Sequence, residues 1–241
     1  MITAGVDLAS QPRNTGFCVL RWEAGAVQVE HLEGHLDDDG LRRLVQSSAE
    51  KVGVDVPLGW PRRFVELVHR HSEMRSVEPV AVKRLTHRAT DHWVHARCGI
   101  WPLSVSTDRI AYPALRAAPL LTGKPRDGSG QVVEVYPAAA LIAWGLANRR
   151  YKGAEGRGHR GGIVGQLLHA LPGLGGGTFD PEPLLADDNR LDALVAALVA
   201  RAVACGLCEP IPARHLGDAR AEGWIHLPSE GSLVRLGAGA A

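Results

Sequence analysis

The chain has 241 residues, of which 45% are hydrophobic and 22% charged, so it holds ample apolar material for one sizeable core. Its 27 basic and 26 acidic residues leave a formal net charge of +1, which excludes the broad basic field of a general nucleic-acid binder. No apolar run approaches the ~20 residues that a membrane span needs, and Met1 leads directly into a strand-like segment rather than a signal peptide. A cytoplasmic protein with Cys18, Cys98, Cys205 and Cys208 reduced is therefore expected.

Residues 2–9 read as a first strand, apolar around one Asp. Residues 16–22 and 27–32 follow as second and third strands, with turn chemistry at Ala24-Gly25, giving an antiparallel meander. A helix is predicted over 37–49, where Asp37 and Asp38 suit an N-cap and first turn and Leu41, Leu44 and Val45 keep helical spacing. A fourth strand spans 51–57, and the helical crossover implies that it pairs parallel to the first. Pro61 opens a helix through about Ser72, and part of 84–99 is helical. A fifth strand over 131–136 is ended by Pro137, and helices follow over 138–147, 161–171 and 187–204, with a short last strand at 224–227. The glycine-rich stretches 153–162 and 173–177 are too short for interdomain tethers and read as loops. One domain covering 1–241 is expected, with an insertion at about 61–130.

This order predicts an α/β fold of RNase H-like type: a mixed five-stranded sheet, three antiparallel meander strands plus α-linked parallel strands, flanked by helices. A doubly wound nucleotide-binding fold would open βαβ with a glycine-rich turn, and none follows Leu8. Cys205-Gly206-Leu207-Cys208 has the CxxC spacing, but it closes a long helix with Gly206 as its C-cap, and no second ligand pair is placed for zinc.

Asp7, Asp55 and Glu134 each interrupt an apolar strand. Carboxylates are depleted in strands and costly to bury unpaired, so three such acids ask for a shared explanation, although each alone is also accounted for by capping or a solvent-facing position. Asp187, Asp188 and Asp192 open the last long helix. Dipole compensation explains the first two, but Asp192 lies deeper, and Asp188 and Asp192 share a face at i, i+4. Mutual repulsion among gathered carboxylates reverses around a cation, and an all-oxygen set favours Mg²⁺ or Mn²⁺.

The segments Gly5-Val6-Asp7-Leu8-Ala9, Val54-Asp55-Val56-Pro57-Leu58-Gly59, Arg84 to Asp91, Glu134-Val135-Tyr136-Pro137 and Asp188 to Ala197, with Glu222 to Pro228 at the end, together resemble the domain-of-unknown-function 429 family. The resemblance runs from Gly5 to Pro228 and implies a nuclease of RNase H-like fold. It places Asp7, Asp55 and the Asp188/Asp192 pair at the metal-binding acids of resolvase-type folds, with Asp192-Ala193 similar to the C-terminal Asp-Ala motif of such resolvases. Asp55 departs from the pattern, because resolvases carry Glu there.

The expected activity is two-metal phosphodiester hydrolysis of nucleic acid, with Asp7, Asp55, Asp188, Asp192 and Glu134 as the acids and the first four as metal ligands. Arg84, His87 and Arg88 are candidate phosphate donors, and Thr90, Asp91 and Lys152 candidate neighbours of the same cleft. Thr90 and Asp91 fit a helix N-cap equally well, Asp91 can pair with Arg88, and His69 and His71 read as surface residues. Two other classes stay open. One is a non-catalytic metal- or nucleotide-binding protein that keeps the fold. The other is a phosphotransferase of the actin and sugar-kinase type, which needs a glycine-rich loop where Ser10-Gln11-Pro12-Arg13 stands.

Overall fold

The computed structural model describes residues 1–23, 26–175 and 179–237. Strand β1 (Ile2–Asp7) is central, with β2 (Gly16–Glu23) antiparallel beside it and β3 (Ala26–Glu33) antiparallel beyond. The turn expected at Ala24-Gly25, and part of the expected 173–177 loop, lie outside the described residues. Helix α1 (Asp38–Leu44) crosses to β4 (Lys51–Asp55), which pairs parallel with β1. Helices α2 (Arg62–Ser72), α3 (Val82–Thr86), α4 (Ala89–Cys98) and α5 (Ala111–Leu120) then precede β5 (Val132–Glu134), parallel to β4. Helices α6 (Pro137–Ala143), α7 (Arg157–Ala170), α8 (Glu182–Ala186), α9 (Asp188–Ala204) and α10 (Leu216–Glu222) complete the chain. The sheet order β3-β2-β1-β4-β5 is the RNase H-like arrangement predicted above.

Side chains alternate between the two faces of a strand, and the apolar sequence follows that period. Ala4 and Val6 of β1 and Val52 and Val54 of β4 pack on Leu41 of α1 and Ala114 and Ala117 of α5. On the other face, Val133 and Val135 meet the apolar body of α9 together with Ile163 and Leu167 of α7. Thr3, Gly5 and Asp7 therefore look towards α9, as do Gly53 and Asp55.

The approach of α9 to the sheet is unusually close for a physical reason. A Cβ on Gly5 would lie 2.1 Å from the Ala193 carbonyl oxygen and 2.2 Å from the Ala197 nitrogen. One on Gly53 would lie 2.4 Å from the Ala196 oxygen. Gly5 and Gly53 are register partners on adjacent strands, so together they form a shallow seat for the alanine face of the helix. The Thr3 hydroxyl adds a lock by donating to the Ala197 carbonyl at 3.1 Å while accepting from the Trp22 indole at 2.8 Å.

Several boundaries differ from expectation. Helix α1 stops at Leu44 rather than 49, because the Ser47 hydroxyl turns back onto the Leu44 carbonyl. Helix α6 ends at Ala143, where Gly145 adopts φ 71° and Leu146 N–H reaches back to the Leu141 carbonyl. The final strand predicted at 224–227 is absent as a strand. Ile225 forms only an isolated bridge with Glu134, because its N–H is taken by the Thr90 hydroxyl at 2.8 Å. Helices α5, α8 and α10 had no counterpart in the predicted order. Residues 205–208 behave as expected: Gly206 has φ 66° just past α9, and the four cysteines are free.

A side chain at Gly53 would drive into helix backbone, which cannot rotate away. Gly53→Val is expected to cost at least about 3 kcal/mol in denaturant unfolding. Gly162→Ala, in open space within α7, is expected to be neutral or stabilising by up to about 1 kcal/mol. Equal effects from the two substitutions would discount the seat.

Candidate metal centre

Asp7 and Asp55 are register partners at the C-terminal ends of β1 and β4. Each lies two residues beyond its seat glycine, so both carboxylates emerge on the helix side where α9 begins. Asp192, in the second turn of α9, is brought down to them by that contact and is 1% exposed. The three residues offer carboxylate oxygens that all lie within 4.8 Å of one another. They come from three separate elements, and the oxygen-only donor set has the chemistry that Mg²⁺ and Mn²⁺ prefer.

A cation already stands in this cluster. The Lys152 ammonium bonds an Asp192 carboxylate oxygen and lies 3.6 Å from Asp188 Oδ2. The Tyr151 hydroxyl donates to the other Asp192 oxygen at 3.0 Å. A cavity of about 260 Å³ opens beside the acids. Asp7, Asp55, Lys152 and Tyr136, with the buried Arg88–Glu134 pair, form its polar side, and Pro57, Pro102, Leu103 and Ile110 its apolar wall.

The electrostatics follow from the crowding. Burial, then the neighbouring Asp192 and Asp55 carboxylates, holds Asp7 well above the ordinary carboxylate range. Burial and Asp192 push Asp55 up to about 8, against the lowering effect of Lys152. Burial likewise raises Asp192, although Lys152 and Tyr151 oppose it. Burial works against the Lys152 charge, but Asp192, Asp7 and Asp55 together hold its pKa above that of an ordinary lysine. Burial and Asp55 push the Tyr136 phenol up to about 12.

Asp188, at the start of α9, sits at the rim of this cluster. Its Oδ1 accepts the Gly153 N–H at 3.1 Å, so it holds the loop that carries Lys152. Glu134 borders the same cavity but is not one of the three converging acids, because the pleat starts its side chain from the opposite face. It is the register partner of Val54, not of Asp55. There it accepts both terminal nitrogens of Arg88, at 2.7 and 2.9 Å, and the Leu58 N–H at 2.9 Å.

The same network corrects the expected phosphate-binding roles. Arg88 is 1% exposed and also donates to Asp91 at 2.9 and 3.2 Å and to the Glu222 carbonyl at 3.2 Å, which leaves its guanidinium no free edge for a phosphate. Asp91 caps the Arg88 N–H at the start of α4, and Thr90 holds Ile225, so these two buried residues serve the fold. Arg84 and His87 line a different cleft of about 360 Å³ with Arg62, Arg63 and Glu66, apart from the cavity that the acids line. His87 there packs edge-on against Trp101 at 4.7 Å between ring centres. His69 and His71 are exposed on α2.

Tyr151 was expected beside Lys152 at this cleft, whereas Arg160 and Glu222 had not been given a role. Tyr151 and Arg160 surround Lys152, and Glu222 accepts the Arg62 and Ala89 N–H groups at the starts of α2 and α4. One signal was available for the seat: Gly-Val-Asp occurs twice, at 5–7 and 53–55, on the two strands that carry the acids. Arg160 had none, since its partners are backbone carbonyls.

Residues 5–216 match the family described as "Protein of unknown function (DUF429)", and the chain belongs to that family. The match stops short of the 222–228 stretch included in the resemblance above. No curated protein and no solved structure matches the chain.

Two outcomes are expected. Because Asp7 and Asp55 have raised pKa values when folded, their contribution to stability is present below the ordinary carboxylate pKa and is lost as pH rises, that of Asp55 as pH climbs through about 8. Without metal, the denaturant midpoint should fall between about pH 5 and about pH 9. Asp55→Asn should flatten that fall, and an identical profile in wild type and variant would contradict the crowding. Arg88→Met strands two buried carboxylates and should cost about 3–5 kcal/mol, read as a loss of thermal stability rather than of ligand affinity.

Proposed function

We propose that the protein is a metal-dependent phosphodiesterase acting on nucleic acid in the cytoplasm, with Asp7, Asp55 and Asp192 holding Mg²⁺ or Mn²⁺. The observation that carries this reading is the convergence of three carboxylates from β1, β4 and α9 within 4.8 Å, two of which, Asp7 and Asp55, line a cavity. Gathering like charges under partial burial is unfavourable unless a cation compensates them, and the raised carboxyl pKa values express that need. A bound divalent ion would supply Lewis acidity towards a phosphoryl oxygen and a water activated at neutral pH.

The chain's own groups support the same chemistry. Lys152 supplies a fixed positive charge that stays ionised across the working range. The Tyr136 phenol keeps its proton and so remains a donor on the cavity wall. Pro102, Leu103 and Ile110 keep bulk water from one side of the acids, which strengthens electrostatic interactions inside. The net charge of +1 favours a localised contact over a long groove, hence a short or structured substrate. Among the described residues no helix is long and apolar enough to cross a membrane, and the free cysteines accord with a reducing compartment.

A second reading has one observation in its favour. The Lys152–Asp192 contact alone would make the cluster an ionic staple in a protein that binds no metal. One experiment separates the two. A ligand that binds only the folded state raises its melting temperature, and Mn²⁺ at about a hundred times its Kd should add roughly 5–10 °C for a chain of this size. Asp7→Asn and Asp192→Asn should each remove that increment, together with Mn²⁺-dependent cleavage across single- and double-stranded DNA and RNA. Unaltered cleavage in both variants would refute the assignment, and a wild type blind to Mn²⁺ would favour the staple.

A further inference from the structure

We propose that this site takes one divalent ion rather than two, because the Lys152 ammonium is built into the place of the second. The inference rests on the metal-dependent reading above and specifies how its charge is divided. A second ion in this arrangement would need Asp192 as a shared ligand and Asp188 as its own, the pair that α9 presents at i, i+4. Those are the two carboxylates that Lys152 occupies, bonding Asp192 and lying 3.6 Å from Asp188. An ion held by both would stand against the ammonium, with two like charges in direct contact and no acid between them.

The lysine is not a surface side chain that has drifted inward. Its stem is half exposed, with 53% of the side chain accessible, but the backbone on either side is fixed. Arg160, 1% exposed, donates to the Tyr151 and Gly153 carbonyls at 2.7 Å each and to the Leu185 carbonyl at 2.8 Å. The Gly153 N–H is held by Asp188, and the Tyr151 hydroxyl by Asp192. Gly156 lets the loop close, since a Cβ there would lie 2.2 Å from the Tyr151 oxygen. Three independent anchors thus aim one ammonium at one end of the cluster. Asp7 and Asp55, with the remaining lone pairs of Asp192, are left for a single ion. Charge agrees with that division: one divalent ion and the ammonium bring three positive charges to the four carboxylates of Asp7, Asp55, Asp188 and Asp192.

The test is the stoichiometry of Mn²⁺ on the full chain, by titration calorimetry and native mass spectrometry. Wild type should bind one ion, Lys152→Arg one, Lys152→Met two, and Lys152→Met with Asp188→Asn one again. Two ions on wild type, or a single ion on folded Lys152→Met, would overturn the inference. Circular dichroism establishes folding, and should Lys152→Met fail to fold, the wild-type and Lys152→Arg counts still decide. Wild type binding no Mn²⁺ at all would bring down the metal-dependent reading itself, a different result from a count of two.

Discussion

The contact between α9 and the two glycines of β1 and β4 is the constraint on which the rest depends. A helix normally stands off a sheet by the thickness of the side chains between them. Here Gly5 and Gly53 remove those side chains and Ala193, Ala196 and Ala197 present almost none in return, so backbone meets backbone. The first consequence is a well-packed centre. The second is positional: Asp192 arrives at the level of Asp7 and Asp55, each two residues past its glycine. A stand-off set by valines would leave the helix acid short of the strand acids. The repeated Gly-Val-Asp is therefore both the seat and the site, two residues apart and so on the same face of the pleat.

The two faces of the sheet solve the problem of buried acids in opposite ways. On the α1 and α5 side, Glu134 meets a guanidinium that fits both its oxygens, and Asp91 and the Glu222 carbonyl take the remaining donors. That network is closed: every charge has its partner, and the arrangement ties β5, α4 and the residues after β4 together. On the α9 side, three acids share one lysine. The ammonium satisfies Asp192 best, so burial and the Asp192 charge still push Asp55 up to about 8, whereas at Arg88 burial is overcome by Glu134 and Asp91, which hold its proton above the ordinary arginine range. Both groups border the same cavity, but Arg88 and Glu134 are each 1% exposed and saturate one another, whereas Asp7 and Asp55 face the cavity without a matching cation.

Much of this was legible in the sequence, and the parts that were not share a cause. The meander, the parallel crossover and the long last helix follow from local alternation and capping, so the sheet order could be predicted. Asp7, Asp55 and Asp192 stood out because each is an acid where apolar residues should be. Glu134 stood out by the same rule, yet it points the other way. Deciding its face requires the register between β4 and β5, and a strand as short as Val132–Glu134 has too few residues to declare it. Arg88 was read as a free donor for a similar reason: a cation in a polar stretch looks exposed until the distant Glu134 is found facing it. Helix α5 was hidden by Pro113 and Pro119, which lower helix propensity although tertiary packing of Ala114 and Ala117 overrides it.

Lys152 shows why a charge cannot be assigned a role from its neighbours in sequence. It follows Arg149 and Arg150 in a basic run, and although its place after the fifth-strand helix pointed it towards the cleft, only the fold shows that its partners are Asp192 and Asp188. Arg160 grips the carbonyls on both sides of it, so the geometry of the loop is set by hydrogen bonds to backbone, which leave no side-chain pattern to read. Tyr151 then adds its hydroxyl to Asp192, and Asp188 holds Gly153 from the other side. Four residues spread over some forty positions thus fix one ammonium among carboxylates, at the point where α9 is held down by its glycine seat. Loosening that seat would therefore act on the lysine as well as on the acids, since the cation and the carboxylates are registered to the same helix.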